Sequence, residues 1–565
     1  MRTQRQPKRS TVFRRQAILV IAIAACAKDP AAVVADADLA DVELDVQSDT
    51  RDPDAEAWAE RAHKLGDARD QLDAGHWTGA QLYAAAVRTS VMSAPEWPPD
   101  APPDGGVAPP APSGVHRLGY LRHGSHAPVF DARIKNDDCP DGWFELLEGG
   151  FVCGKYASLD PKDPAVKWAA SAPKLDQPMP YSYGYATGNN TPVYRRVLAM
   201  ADRLKYEPWL LPPVAPSASA SALLPPPSAL VDEDNPYDDD PKVKAGKDAG
   251  AKDAGIIKLD SLKGRGVLAR KMMRGFYVAL DHDFTAAKAH WWRTAEGFAI
   301  PYERMAMPGW SPGFHGGWIT RAHEEDGGEV AAGSGTAALV RTEFAAHYRV
   351  NEKGKVVWTT PLAKWTALEL SGDPITSDGV QFQRTTSGFV VRLADLRIAK
   401  VEKPDGLLPN EKWIDVDLEH QVLIAYEGDR PVFGTLVSSG KNQPWDPEHA
   451  HPTPTGTYRI YEKHISATMD GDVATDGPYS IEDVPWVMFF QGSYALHGAF
   501  WHDLFGTPRS HGCVNLSPID ARELFFWTEP RLPTGWHGVF QTGDRLGTRL
   551  VIHDASIAQT PKKAN

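Results

Sequence analysis

Between Trp413 and Tyr426 the chain alternates in side-chain character along two short runs, Trp413-Ile414-Asp415-Val416-Asp417-Leu418 and Val422-Leu423-Ile424-Ala425-Tyr426. A period of two is the signature of β-strands. Gly428-Asp429 turns the chain into a third strand from Pro431 to Val437. Further strand-like runs follow at Pro454–Ile460, Val487–Phe490 and Tyr494–Leu496. Ser517-Pro518 supplies an N-cap and a first-turn proline to a short helix through Trp527. Residues 404–556 therefore read as one mostly-β domain with a short helix near its end.

Upstream the pattern is fainter but repeats. Trp143–Val152, Trp292–Ile300 and Phe382–Val391 each set an aromatic strand, a glycine turn and a second apolar strand in a row, the punctuation of a β-hairpin. Three small β modules are expected at 115–210, 256–335 and 336–403. Residues 211–255, with a Pro/Ser/Ala run, Asp238-Asp239-Asp240 and Lys-Asp-Ala-Gly repeats, read as a solvated, disordered linker. Residues 27–114 read as a disordered or partly helical tether, with Trp58, Ala62, Leu65 and Leu72 on one helical stripe and a proline-rich end. A coil of that length spans roughly 50 Å. Residues 557–565 read as a disordered tail.

Composition narrows the class. The 565 residues, 42% of them hydrophobic, suffice for several cores, and the net charge of −13 argues against nucleic acid or an anionic lipid surface as partner. The first residues look like a targeting segment: a basic region from Arg2 to Arg15 precedes an apolar run, Ala17 to Ala25, too short to span a bilayer. Of four cysteines, Cys139 and Cys153 lie fourteen apart and can pair in an oxidising compartment, which would stabilise by about 3 kcal/mol in the chain-entropy model. Cys513 is then the odd, reactive thiol.

The candidate chemistry lies around that thiol. His497-Gly498 and Ser510-His511-Gly512-Cys513-Val514-Asn515 place two histidines and a cysteine within nineteen positions of one another. A thiol attacks as thiolate and needs a base or cation within reach. The alternative is a buried free cysteine with histidines nearby by chance. His449-Ala450-His451 offers half of a zinc site, without an acidic ligand in register or a His-Glu-x-x-His motif, so no metal and no organic cofactor is expected. Trp445, Trp486, Trp501 and Trp527 either floor a groove or pack the core.

The run His-Gly … Ser-His-Gly-Cys-Val-Asn resembles the signature of the L,D-transpeptidase (YkuD-type) catalytic domain, over roughly residues 410–555. Asn515 stands where most members carry Arg. The resemblance implies an acyltransfer enzyme of peptidoglycan. Cys513 would be the nucleophile and His497 its base, paired as thiolate and imidazolium, with the Gly498 carbonyl orienting the imidazole. Amides of Gly512 and Cys513 would form the oxyanion site. Ser510, His511, Asn515 and Trp501 would shape the site and meet the donor stem peptide. The acceptor is left open among a stem peptide, a lipoprotein lysine, water or another amine. Two other classes stay open as well: a peptidoglycan-binding envelope scaffold with an inactive domain, and a cysteine amidase or L,D-carboxypeptidase.

Ile23-Ala24-Ala25-Cys26 resembles a bacterial lipobox. It implies a signal peptide over 1–26, lipid on Cys26 and a periplasmic, outer-membrane-anchored protein; plain secretion with cleavage is the alternative. The upstream modules resemble bacterial SH3-like domains, either gripping the cell wall or only spacing the catalytic body.

Overall fold

The computed structural model describes residues 77–99, 114–211, 258–309, 314–321, 333–442, 450–473 and 477–554. All belong to one unit, Lys64–Asn565. The lipobox cysteine Cys26, the expected helical stripe and the 211–255 linker beyond Leu211 lie outside the described residues, as does the tail. The fold is mainly β. No described helix is long and apolar enough to cross a membrane.

The two alternating runs form the centre of a six-stranded sheet in which Lys412–Asp417 pairs antiparallel with Val422–Glu427 and parallel with Arg549–His553. Alternation would normally leave one face in water, yet both faces are buried. Ile414, Val416 and Leu423 enter the domain's own core, while Trp413, Val422 and Tyr426 pack on Ala337, Leu339 and Ala367 of the module before it. The polar positions survive because they are paired: Asp415 takes His553 Nε2 at 3.0 Å, and Asp417 takes His420 Nδ1 at 2.7 Å.

The helix Pro518–Trp527 is capped by Ser517, whose Oγ accepts from the Asp520 amide at 3.2 Å. It buries Ala521, Leu524 and Phe525. Asp520, also buried, accepts from the Gly316 amide and from Thr435 Oγ1 at 2.6 Å.

A long hairpin, Glu462–Val473 with Gly477–Gln491, continues into Tyr494–Gly498, and Val514–Leu516 lies parallel beside that strand. We call the long hairpin the cap, because its distal half forms one wall of the cleft described below.

Strand pairing redraws the upstream boundaries in three places. Within the expected tether, Gln81–Ala84 and Arg88–Met92 are strands of the first module, burying Leu82, Ala84 and Val91. Their period-two pattern is only four or five residues long, too short to tell a strand from a helix. Ser182–Ala186 and Thr191–Tyr194, expected at the end of the first module, pair instead with Tyr277–Ala286 and Leu268–Met272 of the second. That module is thus assembled from both sides of the linker, and pairings between residues some ninety apart leave no local trace. Gly317–Trp318, expected in the second module, pairs with Arg430–Leu436 of the six-stranded sheet. The third module is a seven-stranded sheet from Gly333 to Ile398.

The faint repeat has a structural counterpart. Each copy is a hairpin whose turn holds a glycine at positive φ (Gly149 +99°, Gly297 +87°, Gly388 +79°), followed by a single 3-10 turn and a two- or three-residue strand. Side chains at those φ values are strained, so the glycines are what a common turn demands. A buried disulfide, Cys139–Cys153, ties the hairpin of the first module.

Candidate active site

The site is built on two parallel strands. Leu496 faces Val514 and His497 faces Asn515 across them. Cys513 sits in the bend just before the second strand, two positions ahead of Asn515. His497, Cys513 and Asn515 line one cleft of about 290 Å³, together with Tyr479, Trp501 and Arg509.

The turn that delivers the cysteine is held by its own serine. Ser510 Oγ donates to the Cys513 carbonyl at 2.5 Å and accepts from the Gly512 amide at 3.1 Å. Gly512 has φ +117°, and a Cβ there would lie 2.3 Å from the Tyr494 ring, so both the backbone conformation and the space require glycine. The Gly512 carbonyl accepts from Thr453 Oγ1 at 2.9 Å. Because its N–H is already bound to Ser510, the expected role of the Gly512 amide in an oxyanion site is not supported.

His497 is 2% exposed, and its Nδ1 donates to the Gly498 carbonyl at 3.3 Å, which leaves Nε2 with the lone pair. Trp501 stacks on its ring, with centroids 5.8 Å apart. Phe500 beside it is backed by Tyr183 and Tyr277 of the second module. Burial pushes His497 down to about 4, against the Gly498 hydrogen bond and aided by nearby His502. Burial pushes the Cys513 thiol up to about 11, opposed by the Ala495 amide. The thiol donates to the Ser493 carbonyl at 3.7 Å. Burial thus favours the neutral form of each group, thiol and imidazole, over the expected thiolate–imidazolium pair.

His511 lies flat on Tyr479 of the cap (5.2 Å, 6°), with His451 edge-on to it. It joins catalytic turn to cap. His449, the other half of the considered zinc site, lies outside the described residues. Asn515 Nδ2 donates to His502 Nε2 at 3.0 Å, and its Oδ1 is buried without a hydrogen-bond partner among the described residues. Among the described residues, Asp417, Glu419 and His420 group closely enough to hold a metal ion, on the turn after the first alternating strand. They already pair with one another and with Lys400.

Sequence reasoning missed Tyr479, Ser493 and Arg509. Arg509 directly precedes the Ser-His-Gly-Cys run, so adjacency was the available signal. Tyr479 and Ser493 are placed by the cap and its following turn, and nothing local marks them. Of the tryptophans, Trp501 lines the cleft, while Trp486 is buried in the core and donates to the Pro178 carbonyl at 2.6 Å.

No curated protein matches the chain. Among solved structures, a mutant of the Enterococcus faecium L,D-transpeptidase is 24% identical over 28% of this chain and 55% of its own, with a TM-score of 0.20. The catalytic domain from the Enterococcus faecium L,D-transpeptidase is 26% identical over 26% of this chain and 98% of its own, TM-score 0.20. An L,D-transpeptidase from Xylanimonas cellulosilytica is 23% identical over 27% of this chain and 65% of its own, TM-score 0.19. This chain thus spans about half the length of the first of these structures. The family model for the L,D-transpeptidase catalytic domain matches residues 411–552, about a quarter of the chain, so Cys513, His497 and the turn that carries them lie within an L,D-transpeptidase (YkuD) catalytic domain.

Proposed function

We propose that the chain is a peptidoglycan L,D-transpeptidase that acylates Cys513 with a tetrapeptide stem and passes the acyl group to an amine. The observation that carries this reading is that Cys513, in the bend before one strand, and His497, on the parallel strand beside it, line one cleft. In the neutral resting state, His497 Nε2 takes the thiol proton as sulfur attacks the carbonyl of the third stem residue. The C–N bond breaks and D-alanine leaves with that proton. An amine then attacks the thioester, the C–S bond breaks, and the amine proton passes through His497 to sulfur. Water in place of the amine gives hydrolysis.

The Cys513 amide is the remaining oxyanion candidate. Arg509, a cation on the cleft wall, offers the donor carboxylate a partner where Asn515 lacks charge. The modules, read as SH3-like, hold or space the domain at the wall. Lipid on Cys26 would keep the protein on the periplasmic side of the outer membrane, and Cys26→Ser should release it from detergent-extracted membranes.

The central test is intact mass after incubation with a tetrapeptide donor or a carbapenem. One adduct on Cys513, absent in Cys513→Ala, is expected; normal cross-linking by Cys513→Ala would end this reading.

A further inference from the structure

A cavity of about 630 Å³ lies where the third module meets the six-stranded sheet, and it shares no lining residue with the nucleophile's cleft. Gly333 and Glu369 come from the module, Lys403 from the segment joining module to sheet, and Trp413, Tyr426 and Arg430 from three neighbouring strands of the sheet. Its volume is that of a small-molecule site.

Tyr426 is the unsatisfied member of this wall. It is 2% exposed, its ring stacks on Trp413 at 4.5 Å and 15°, and its Oη is buried without a hydrogen-bond partner among the described residues. Burial, with Asp415 and Glu369 near it, holds the phenol protonated, so it is an O–H donor in need of an acceptor. A buried hydroxyl left unpaired is costly, and nearly all find a partner.

The charges around it are already matched. Arg321 gives Nε and Nη2 to the Glu369 carboxylate at 2.7 and 2.8 Å, Lys403 meets one oxygen of Asp429 at 2.5 Å, and Arg430 pairs with Glu427. These pairs keep hydrogen-bonding capacity, because Arg321 still has Nη1 and Asp429 its second oxygen. A side chain at 333 would collide with Glu369 and Arg321, so glycine keeps that wall open. An ion entering here would have to break one of the pairs. A hydrocarbon would bury them dry and leave Tyr426 unpaired. A neutral ring bearing many hydroxyls meets both demands, with oxygens for Tyr426 and Arg321, hydroxyl donors for the carboxylates and C–H groups for Val401.

We propose that this cavity binds a neutral saccharide, one of its oxygens accepting from Tyr426 Oη and its hydroxyls exchanging hydrogen bonds with the Arg321–Glu369 and Lys403–Asp429 pairs. The site is separate from acyl transfer and stands whether or not Cys513 is acylated. A sugar held there touches the third module and the sheet at once, and so ties them together.

Calorimetric titration of the full chain tests this with cellobiose, N,N′-diacetylchitobiose and chitobiose, the last being the acetylated sugar with two ammonium groups in place of its amides. One of the two neutral disaccharides should bind, and chitobiose about tenfold more weakly than the better of them. Binding of neither neutral sugar, or equal binding of chitobiose, would overturn the proposal. Tyr426→Phe removes Oη and keeps the stack on Trp413. It should weaken the better neutral sugar about tenfold and leave the denaturant midpoint of unfolding at the parent's value, because the hydroxyl bonds nothing within the protein. An affinity within about twofold of the parent's would overturn the proposal, and so would a lowered midpoint, which would mean that Oη is already satisfied inside the fold.

Discussion

The turn that carries Cys513 and the cap that faces it are built by opposite means. The turn is held from within its own domain: Ser510 reaches two and three residues along to Gly512 and Cys513, Thr453 and Ser439 bond it from upstream, and Gly512 supplies the one backbone conformation that fits under Tyr494. The cap is held from outside. Its Asp483 side chain takes Arg122 of the first module, the Asp483 carbonyl takes Tyr183 Oη of the second at 2.6 Å, and Ile481 pairs with Tyr277. The reactive group is therefore built within one domain, while the shape of the cleft around it depends on residues 200 to 360 positions away. A domain of this kind can keep its chemistry while its neighbours alter access to it.

His497→Ala should have the largest effect. Removing the proposed base should slow acylation by about a thousandfold, within the usual worth of general acid–base assistance, as read by the rate of adduct formation. Gly512→Ala should come next. The strained φ and the collision with Tyr494 displace the sulfur, and an ångström of misplacement costs about a hundredfold in rate. If Gly512→Ala acylates normally, the turn is not the rigid element described here.

Arg122→Met attacks the cap alone. It leaves Asp483 buried without its cation, at a cost of about 3 kcal/mol in denaturant unfolding. Alkylation of Cys513 by a small reagent should stay near the parent rate while donor acylation falls. Equal losses in both would show that turn and cap are one unit.

The protonation states sharpen the same contrast. With the thiol at about 11 and His497 at about 4, alkylation of Cys513 should climb with pH through the neutral range and level off near 11. A plateau reached already at pH 6 would restore the thiolate–imidazolium pair.

The smallest effect concerns Asp520, whose carboxyl is pushed up to about 6 by burial, against its bonds to Thr435 and the Gly316 amide. A raised acid binds its proton more tightly in the folded state. Its contribution is complete below its unfolded value of 3.8 and is lost as pH rises through about 6. Asp520→Asn should flatten that part of the stability–pH curve; an unchanged slope between pH 4 and 6 would refute the assignment.

The proposed chemistry could be read because its determinants are nearly consecutive. His497-Gly498 would supply base and orienting carbonyl and Ser510 through Asn515 the nucleophile's turn, while the N-cap Ser517-Pro518 announces the helix. Protonation was not legible, because a sequence shows which groups can exchange a proton, whereas burial decides which of them is charged. The bond of the Gly512 amide to Ser510 was likewise not legible, since it depends on a serine rotamer that the motif does not specify.

What the sequence determined alone is whatever rests on neighbours along the chain: the alternating strands at 413–426, the glycine turns of the three hairpins, the nucleophile turn and the helix after it. The tertiary structure decided which strands pair. It gave Gln81–Met92 to the first module, joined Ser182–Tyr194 to strands beyond the linker, and set Gly317–Trp318 in the six-stranded sheet. It also brought Arg122, Tyr183 and Tyr277 against the cap. Pairings of this kind close loops of tens to hundreds of residues, so they follow from burial and hydrogen bonding summed over the whole assembly, and no local pattern encodes them.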